Sequence, residues 1–180
     1  MQKSHDVVER ARRGDPAAFR QLVEQHEGLV RSTVAGMLGD TAEADDVAQE
    51  VFIRFYKALK DFRGDSQVGT YLSRIAINLS INELKRRQRK NRWLSVIQKG
   101  ADATGVEDTS MDPARQDMQD TLRKALQVLD TEFRAVVVLR LIDGYSVKET
   151  AEILGLPQGT VASRLARGQQ KLREILKKWL

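Results

Sequence analysis

Three sets of side chains in this 180-residue sequence combine residue type with helical spacing in ways that suggest chemistry. Tyr71, Arg74, Asn78, Lys85 and Arg89 fall along one polar edge of an expected helix. Cations serve phosphates and a ring serves base stacking, so this edge suits a nucleic-acid strand. Thr160, Ser163, Arg164, Arg167 and Lys171 share a face of the last expected helix, with little acid nearby. Those donors are what a major groove needs. The third set has the opposite character. Asp45, Gln49, Ile53 and Tyr56 lie on one helix side, with Asp46 and Glu50 beside them. Carboxylates repel phosphate, and acid mixed with outward apolar residues suits a protein partner.

Helices must position all three sets. Val7, Val8 and Ala11 mark a short first helix ended by Gly14. Asp15-Pro16 starts a second, a capping carboxylate followed by proline where no N–H is needed. Phe19, Leu22, Val23, His26, Val30, Val34, Met37 and Leu38 follow at helical spacing, and His26 reads as a packing residue. Ala44, Val47, Ala48, Val51, Phe55 and Leu59 line the buried face of a third helix. Gly64-Asp65-Ser66 marks a turn, and Thr70 is expected to cap a fourth. That helix carries two apolar stripes, one of Leu72, Ile75, Ala76 and Leu79 and one of Ile77, Ile81 and Leu84, so it packs on two sides. From Trp93 the periodicity fades into a stretch rich in Gly, Ala, Thr, Asp and Ser, which reads as a flexible acidic linker over 93–117. Asp112-Pro113 restarts a helix, with Met118, Leu122, Ala125, Leu126 and Leu129 inward. Asp130 is expected to cap the next, holding Phe133, Val136, Val137, Val138, Leu139 and Leu141. Ser146 and Glu149 form a capping box. Gly155-Leu156-Pro157 is a turn, and Thr160 starts the last helix, with Val161, Leu165, Leu172 and Leu176 inward. Small Ala151, Gly155 and Val161 make the final pair a helix-turn-helix. The expectation is an all-α protein: two small helical domains, 1–92 and 118–180, on either side of the linker.

Charge is unevenly distributed. Net charge is +5, with 17 Lys/Arg against 13 Asp/Glu in 1–92, 2 against 5 in 93–117, and 11 against 7 in 118–180. Two basic blocks flank an acidic strip, which permits nucleic-acid binding. There is no cysteine, so disulfides and Cys-based zinc sites are excluded, and a reducing cytoplasm is compatible. The first fifteen residues lack an apolar signal core. The longest unbroken apolar run, Ala135 to Leu139, is too short to span a membrane.

Residue order adds a resemblance. Ala44-Asp45-Asp46-Val47-Ala48-Gln49-Glu50-Val51-Phe52, then Phe62-Arg63-Gly64-Asp65-Ser66, then Arg74-Ile75-Ala76-Ile77-Asn78 resemble the second conserved region of bacterial sigma factors. The match is best to the small, two-domain extracytoplasmic-function type. Leu129-Asp130, Arg134, Leu139-Arg140, Gly144-Tyr145-Ser146, Glu149, Ala151, Leu154-Gly155, Gly159-Thr160-Val161, Ser163-Arg164-Leu165 and Arg167-Gly168 resemble the fourth region. The resemblance implies a cytoplasmic protein that binds core RNA polymerase, carries it to promoters and helps open the duplex. It implies no cofactor or metal, no membrane insertion, and control by an anti-sigma factor.

Site residues follow from the same resemblance. Asp45, Asp46, Gln49, Glu50, Ile53 and Tyr56 would dock on the clamp of the largest polymerase subunit. Arg63, Gln67, Val68, Tyr71, Arg74, Asn78, Lys85 and Arg86, with Arg87 in the basic run, would take the −10 element, where the family captures a flipped base. Gly159, Thr160, Ser163, Arg164, Arg167 and Lys171 would enter the major groove at −35. The C-terminal domain would touch the flap of the second-largest subunit, and the linker would thread near the active-site cleft. Two departures stand out. Relatives often place aromatics near Gly69 and tryptophan at Tyr71, and arginine or bulk at Ala162 and Ala166. The first changes the base pocket; the second shifts weight onto Ser163, Arg164 and Arg167.

Three other readings compete with this one, one of them binding without transcription, in which an anti-sigma partner holds the chain as a signalling device. A dimeric helix-turn-helix regulator would need a self-complementary apolar face, and the acid–apolar face fits a foreign partner better. An enzyme could use Glu43, Asp46 and Glu50 to hold Mg²⁺. The chain has only His5 and His26, no phosphate-loop glycine pattern and no nucleophile–base pair.

Overall fold

Local capping chemistry sets the first helices in place. The computed structural model of the chain describes residues 2–62, 67–98 and 118–179. Among them every regular element is helical. Helix α1 (Gln2–Arg12) buries Val7, Val8 and Ala11. Helix α2 (Pro16–Leu38) starts as expected, with the Asp15 carboxylate accepting from the amides of Ala17 and Ala18 at 2.9 and 3.2 Å. Helix α3 (Ala42–Ala58) is capped by the Thr41 hydroxyl, which accepts from the Ala44 amide. A short 3₁₀ turn, Leu59–Asp61, follows.

Helix α4 (Val68–Gln98) is longer than expected at both ends. The Gln67 carbonyl accepts from the Tyr71 amide, so Thr70 lies within the first turn and is buried rather than capping. The helix runs past Arg92 to Gln98, because no glycine or proline intervenes to stop it. Residues 99–117, most of the expected linker, lie outside the described residues, as does Arg63. Phe55 is fully buried at the centre of the N-terminal unit, with the rings of Phe19, Phe62 and Tyr71 around it at 5.9–6.3 Å between centroids. Burying one such side chain contributes about 1.5–3 kcal/mol.

The C-terminal unit comprises α5 (Met118–Val128), α6 (Thr131–Val137), a π-helical turn (Val138–Ile142), α7 (Val147–Leu154) and α8 (Gln158–Trp179). The π turn corrects one expectation. The Asp143 amide reaches back to the Val138 carbonyl, five residues earlier. The extra residue rotates the apolar face, so Leu141 is half exposed instead of buried. Leu122, expected inward, is also partly exposed, while Ala125, Leu126 and Leu129 are buried as expected. Asp130 occupies the N-cap position of α6 but gives its carboxylate to Lys171 instead of to a helix amide. The Ser146–Glu149 capping box forms in both directions, at 3.1 and 2.8 Å.

The two units are docked against each other. Helices α2 and α4 contact α5, α6, the π turn and α7. Ala135, Val138, Leu139 and Ile153 join the same apolar core as the N-terminal helices. Gly36 permits a close approach: a Cβ there would lie 2.8 Å from a Val138 methyl carbon.

Candidate nucleic-acid interface

The basic face of α8 depends on the tight angle beneath it. Gly155 adopts a left-handed φ of 64° at the end of α7, and the Leu156 amide bonds the Ala151 carbonyl at 3.0 Å. Val161 packs back against Ala151 and Val136, as the small-residue pattern implied. Gly168 extends the buried stripe between Leu165 and Leu172 and lets α8 lie close on α6. This fixes which side of α8 faces outward. Gly159, Ser163, Arg167 and Lys171 are exposed, and Thr160 and Arg164 are partly so. Ala162 and Ala166 are exposed between them, so the face is thinly populated.

Acid stands closer to this face than the linear order suggests. Glu132 pairs with Arg164 at 2.7 Å, and Asp130 with Lys171 at 3.0 Å. The Lys171 ammonium also sits 5.2 Å from the Phe133 ring centre. Both ion pairs are solvent-accessible and therefore weak, so phosphate can replace the carboxylates. Until then they hold two cations in place on the helix face.

The α4 candidates divide into outward and inward groups. Gln67, Arg74, Asn78, Lys85 and Arg86 are exposed or nearly so. Val68 is buried in the core, so its side chain does not face a ligand. Tyr71 is half-buried, its ring edge-on to Phe62 at 5.2 Å, which leaves part of it for stacking. The basic run splits in two. Arg86 pairs with Glu83 on the surface, at 2.7 and 3.0 Å, and the bond holds the Glu83 carboxyl below its usual range. Arg87 turns inward, donating to the Leu38 carbonyl and the Thr41 hydroxyl and pairing with Glu43 and Glu83. It fastens α4 to the α2–α3 corner.

On α3 the acid–apolar face is presented as expected. Asp45, Asp46 and Gln49 are exposed, Glu50 partly so, and Ile53 and Tyr56 are 46% and 56% exposed, high for apolar side chains. Tyr56 leans edge-on to Phe19 at 4.9 Å, which orients its ring. Arg31 bonds Asp45 at 3.2 Å, and Arg54 bonds Glu50 at 2.9 Å. Glu43, Asp46 and Glu50 do not converge: among the described residues no cluster of three metal-ligating side chains is present.

Comparison with known proteins matches this arrangement over most of its length. The model of sigma-70 region 2 matches residues 22–90, and that of sigma-70 region 4 matches residues 119–172. The RNA polymerase sigma-H factor of Pseudomonas aeruginosa is 33% identical, over 97% of this chain and 94% of its own. The ECF RNA polymerase sigma factor SigW of Bacillus subtilis is 32% identical, over 94% and 95%. The chain belongs to the extracytoplasmic-function sigma factors.

Solved relatives share the fold of this sigma factor across both units. CnrH, in complex with the cytosolic domain of CnrY, aligns with a TM-score of 0.68 at 28% identity, covering 96% of each chain. RpoE of Bartonella quintana, in complex with the anti-sigma factor NepR, gives 0.69 at 25% identity, covering 88% of this chain and 96% of its own. The polar and small side chains that help dock the two units carry no signal in the sequence. Thr33, Gly36 and Asp143 are polar or small and break no apolar pattern, and Arg134 stands out only as a family residue. Arg134 is buried and donates to the carbonyls of Met37, Gln127 and Leu129 at 2.6–2.9 Å. No helix among the described residues is long and apolar enough to cross a membrane.

Proposed function

We propose that this sigma factor binds core RNA polymerase through the outward face of α3 and selects promoters with two separate DNA surfaces. Asp45, Asp46, Gln49, Glu50, Ile53 and Tyr56 dock on the largest subunit. Gln67, Tyr71, Arg74, Asn78, Lys85 and Arg86, together with Arg63, take the −10 element. Gly159, Thr160, Ser163, Arg164, Arg167 and Lys171 take the −35 element. Residues 1–92 form the unit that meets polymerase and −10, residues 118–180 form the −35 unit, and residues 93–117 tether them. The chain supplies promoter choice and leaves the chemistry to the polymerase, and it works where polymerase works, in the cytoplasm. An anti-sigma factor holds it in reserve, a reading supported by the anti-sigma partner of the Bartonella protein.

One observation carries the reading. A single chain presents an acid–apolar face unsuited to phosphate and, on a separate helix-turn-helix, a basic face suited to it. A regulator acting alone needs only the second. The test adds the purified chain to sigma-free core polymerase on fragmented genomic DNA and sequences the transcripts. A small set of shared 5′ ends is expected, lost when Asp46→Arg and Tyr56→Ala are combined. Random ends, or tight promoter binding by the chain without polymerase, would overturn the proposal.

A further inference from the structure

Past Arg87 the long helix α4 leaves the body of the protein. Arg87 fastens it to the α2–α3 corner through Leu38, Thr41 and Glu43. Beyond that point Gln88, Arg89, Lys90, Asn91, Arg92 and Trp93 are all exposed. Six residues exceed one helical turn, so this stretch meets solvent on every side. Trp93 is 64% exposed, more than any other large hydrophobic side chain among the described residues. The helix nevertheless continues through it to Gln98.

Three features set this stretch apart from an ordinary solvated helix end. The first is charge. No Asp or Glu occurs between Glu83 and Asp102, while Lys85, Arg86, Arg87, Arg89, Lys90 and Arg92 are cationic. The nearby acids, Glu83 and Glu43, pair with Arg86 and Arg87. Lys85 and Arg89, like Arg86 and Lys90, stand one turn apart, and like charges at that spacing destabilise a helix. A polyanion laid against them removes that cost. The second is direction. Arg89 and Trp93 continue the side of α4 that carries Arg74, Asn78 and Lys85, at steps of four or seven residues. The third is Trp93 itself, a flat apolar ring beside cations, the combination that suits a nucleic-acid strand.

We infer that residues 88–93 form a DNA-binding arm, which grips duplex DNA on the upstream side of the −10 element through its sugar–phosphate backbone. The inference rests on the sigma-factor reading above. Trp93 lies about 28 Å along the helix axis from Arg74, at about 1.5 Å per residue. That matches about eight steps of B-form DNA at about 3.4 Å each. The arm therefore falls outside the contacts made at the start of α4. The chain runs on from this end of α4 to the −35 unit, so the arm lies toward −35. Arg89 and Lys90 neutralise phosphates, and Trp93 packs its ring against a deoxyribose. Such contacts add affinity without reading bases. Continuity with the −10 side of α4 favours DNA over an acidic protein surface as the occupant.

Holoenzyme assembled from the full-length chain supplies the test, on a promoter located by the transcript mapping above. Arg89→Gln/Lys90→Gln should weaken promoter binding several-fold at physiological salt. The slope of log affinity against log salt should become shallower by about 1.8, at about 0.9 per phosphate contact. Trp93→Ala should weaken binding with the slope unchanged, since an apolar contact releases no counterions. Hydroxyl-radical footprints should lose protection just upstream of −10 in both variants. The loss should be equal on promoters with scrambled spacers of constant length. Arg89→Lys/Lys90→Arg should behave as wild type. A slope and footprint unchanged by the glutamine pair would overturn the inference, while continued initiation would leave the sigma reading intact. Weakened binding to core polymerase alone would also overturn it, because the arm would then face protein. The substituted side chains are exposed, so thermal unfolding should be unchanged. A variant that also unfolds early would place these residues in the fold instead. If the wild-type chain gives no specific transcripts, the sigma reading fails and the inference falls with it.

Discussion

Replacing Asp143 by asparagine should stabilise the docked protein at neutral pH and remove one component of its pH dependence. Burial raises the Asp143 carboxyl from its ordinary 3.8 to about 6, and its hydroxyl partners only partly offset this. The hydrogen-bond count explains why. Thr33 has one hydroxyl proton but two acceptors in reach, the Leu29 carbonyl at 2.9 Å and Asp143 at 2.8 Å. An ionised Asp143 competes for that proton. A protonated one can donate to the Thr33 oxygen and leave the proton for Leu29. Ionisable neighbours do not reverse the effect. The Tyr145 hydroxyl, itself raised by burial, is neutral at these pH values. The Arg140 guanidinium is bonded to the Tyr145 carbonyl, and Arg31 on α2 to Glu27 and Asp45.

The sign follows from linkage. A carboxyl raised on folding stabilises fully below its unfolded pKa, and the contribution is lost as pH rises through about 6. At about 1.4 kcal/mol per unit, the loss approaches about 3 kcal/mol at pH 7.5 and is about half that at pH 5. Asparagine keeps an acceptor for Ser32 and a donor for Thr33 without the charge. Urea unfolding of Asp143→Asn and wild type at pH 7.5 and pH 5 measures the difference directly, and subtraction cancels the other carboxylates. The variant should be more stable at pH 7.5, with a margin that shrinks at pH 5. A margin independent of pH, or a variant weaker than wild type at pH 7.5, would refute this account of the interface.

Three further outcomes are expected. Gly168→Ala would place a Cβ 2.9 Å from a Val137 methyl carbon and 3.5 Å from the Phe133 carbonyl, so overpacking of about 1–3 kcal/mol should outweigh the helix-propensity gain and lower Tm. Arg134→Met should destabilise by at least about 3 kcal/mol in chemical denaturation, because three buried carbonyls lose a charged donor that no aliphatic side chain replaces. Arg164→Ala and Arg167→Ala should each weaken binding of the holoenzyme to −35 DNA. Loss of a base contact should cost about 1–3 kcal/mol and relax sequence choice, whereas loss of a phosphate contact should weaken all sequences alike and lower the salt slope. Competition binding against mutated −35 sequences separates the two, and unaltered affinity in both variants would place the reading face elsewhere on α8.

Elements defined by short-range chemistry are legible in the order of residues alone. The Asp15-Pro16 start, the Ser146–Glu149 box, the turn at Gly155 and the packing of Val161 on Ala151 each depend on residues within ten positions of one another, and each is present. The outward face of α3 is legible for a related reason: its apolar stripe accounts for the buried side, leaving Ile53 and Tyr56 conspicuous. Periodicity misleads where it is the sole guide. A regular 3.6-residue period carries Leu141 into the core, and the π turn interrupts that period. Val68 reads as a surface residue only if a loop runs where α4 in fact already begins.

By itself, then, the amino-acid sequence determined the helices, the caps at Asp15 and Ser146, the helix-turn-helix and the separation of acidic from basic faces, since all of these arise from propensity and contacts close along the chain. Only the tertiary structure decided how those pieces share their surfaces. It turned Arg87 inward while leaving Arg86 on the surface, brought Glu132 and Asp130 up to the basic face of α8, and set Thr33 and Gly36 of α2 against Asp143 and Val138 more than a hundred residues away. The physical reason is that a small residue or a lone hydroxyl acquires meaning only from what packs against it. Contacts across so long a separation leave no period in the sequence from which they could be read.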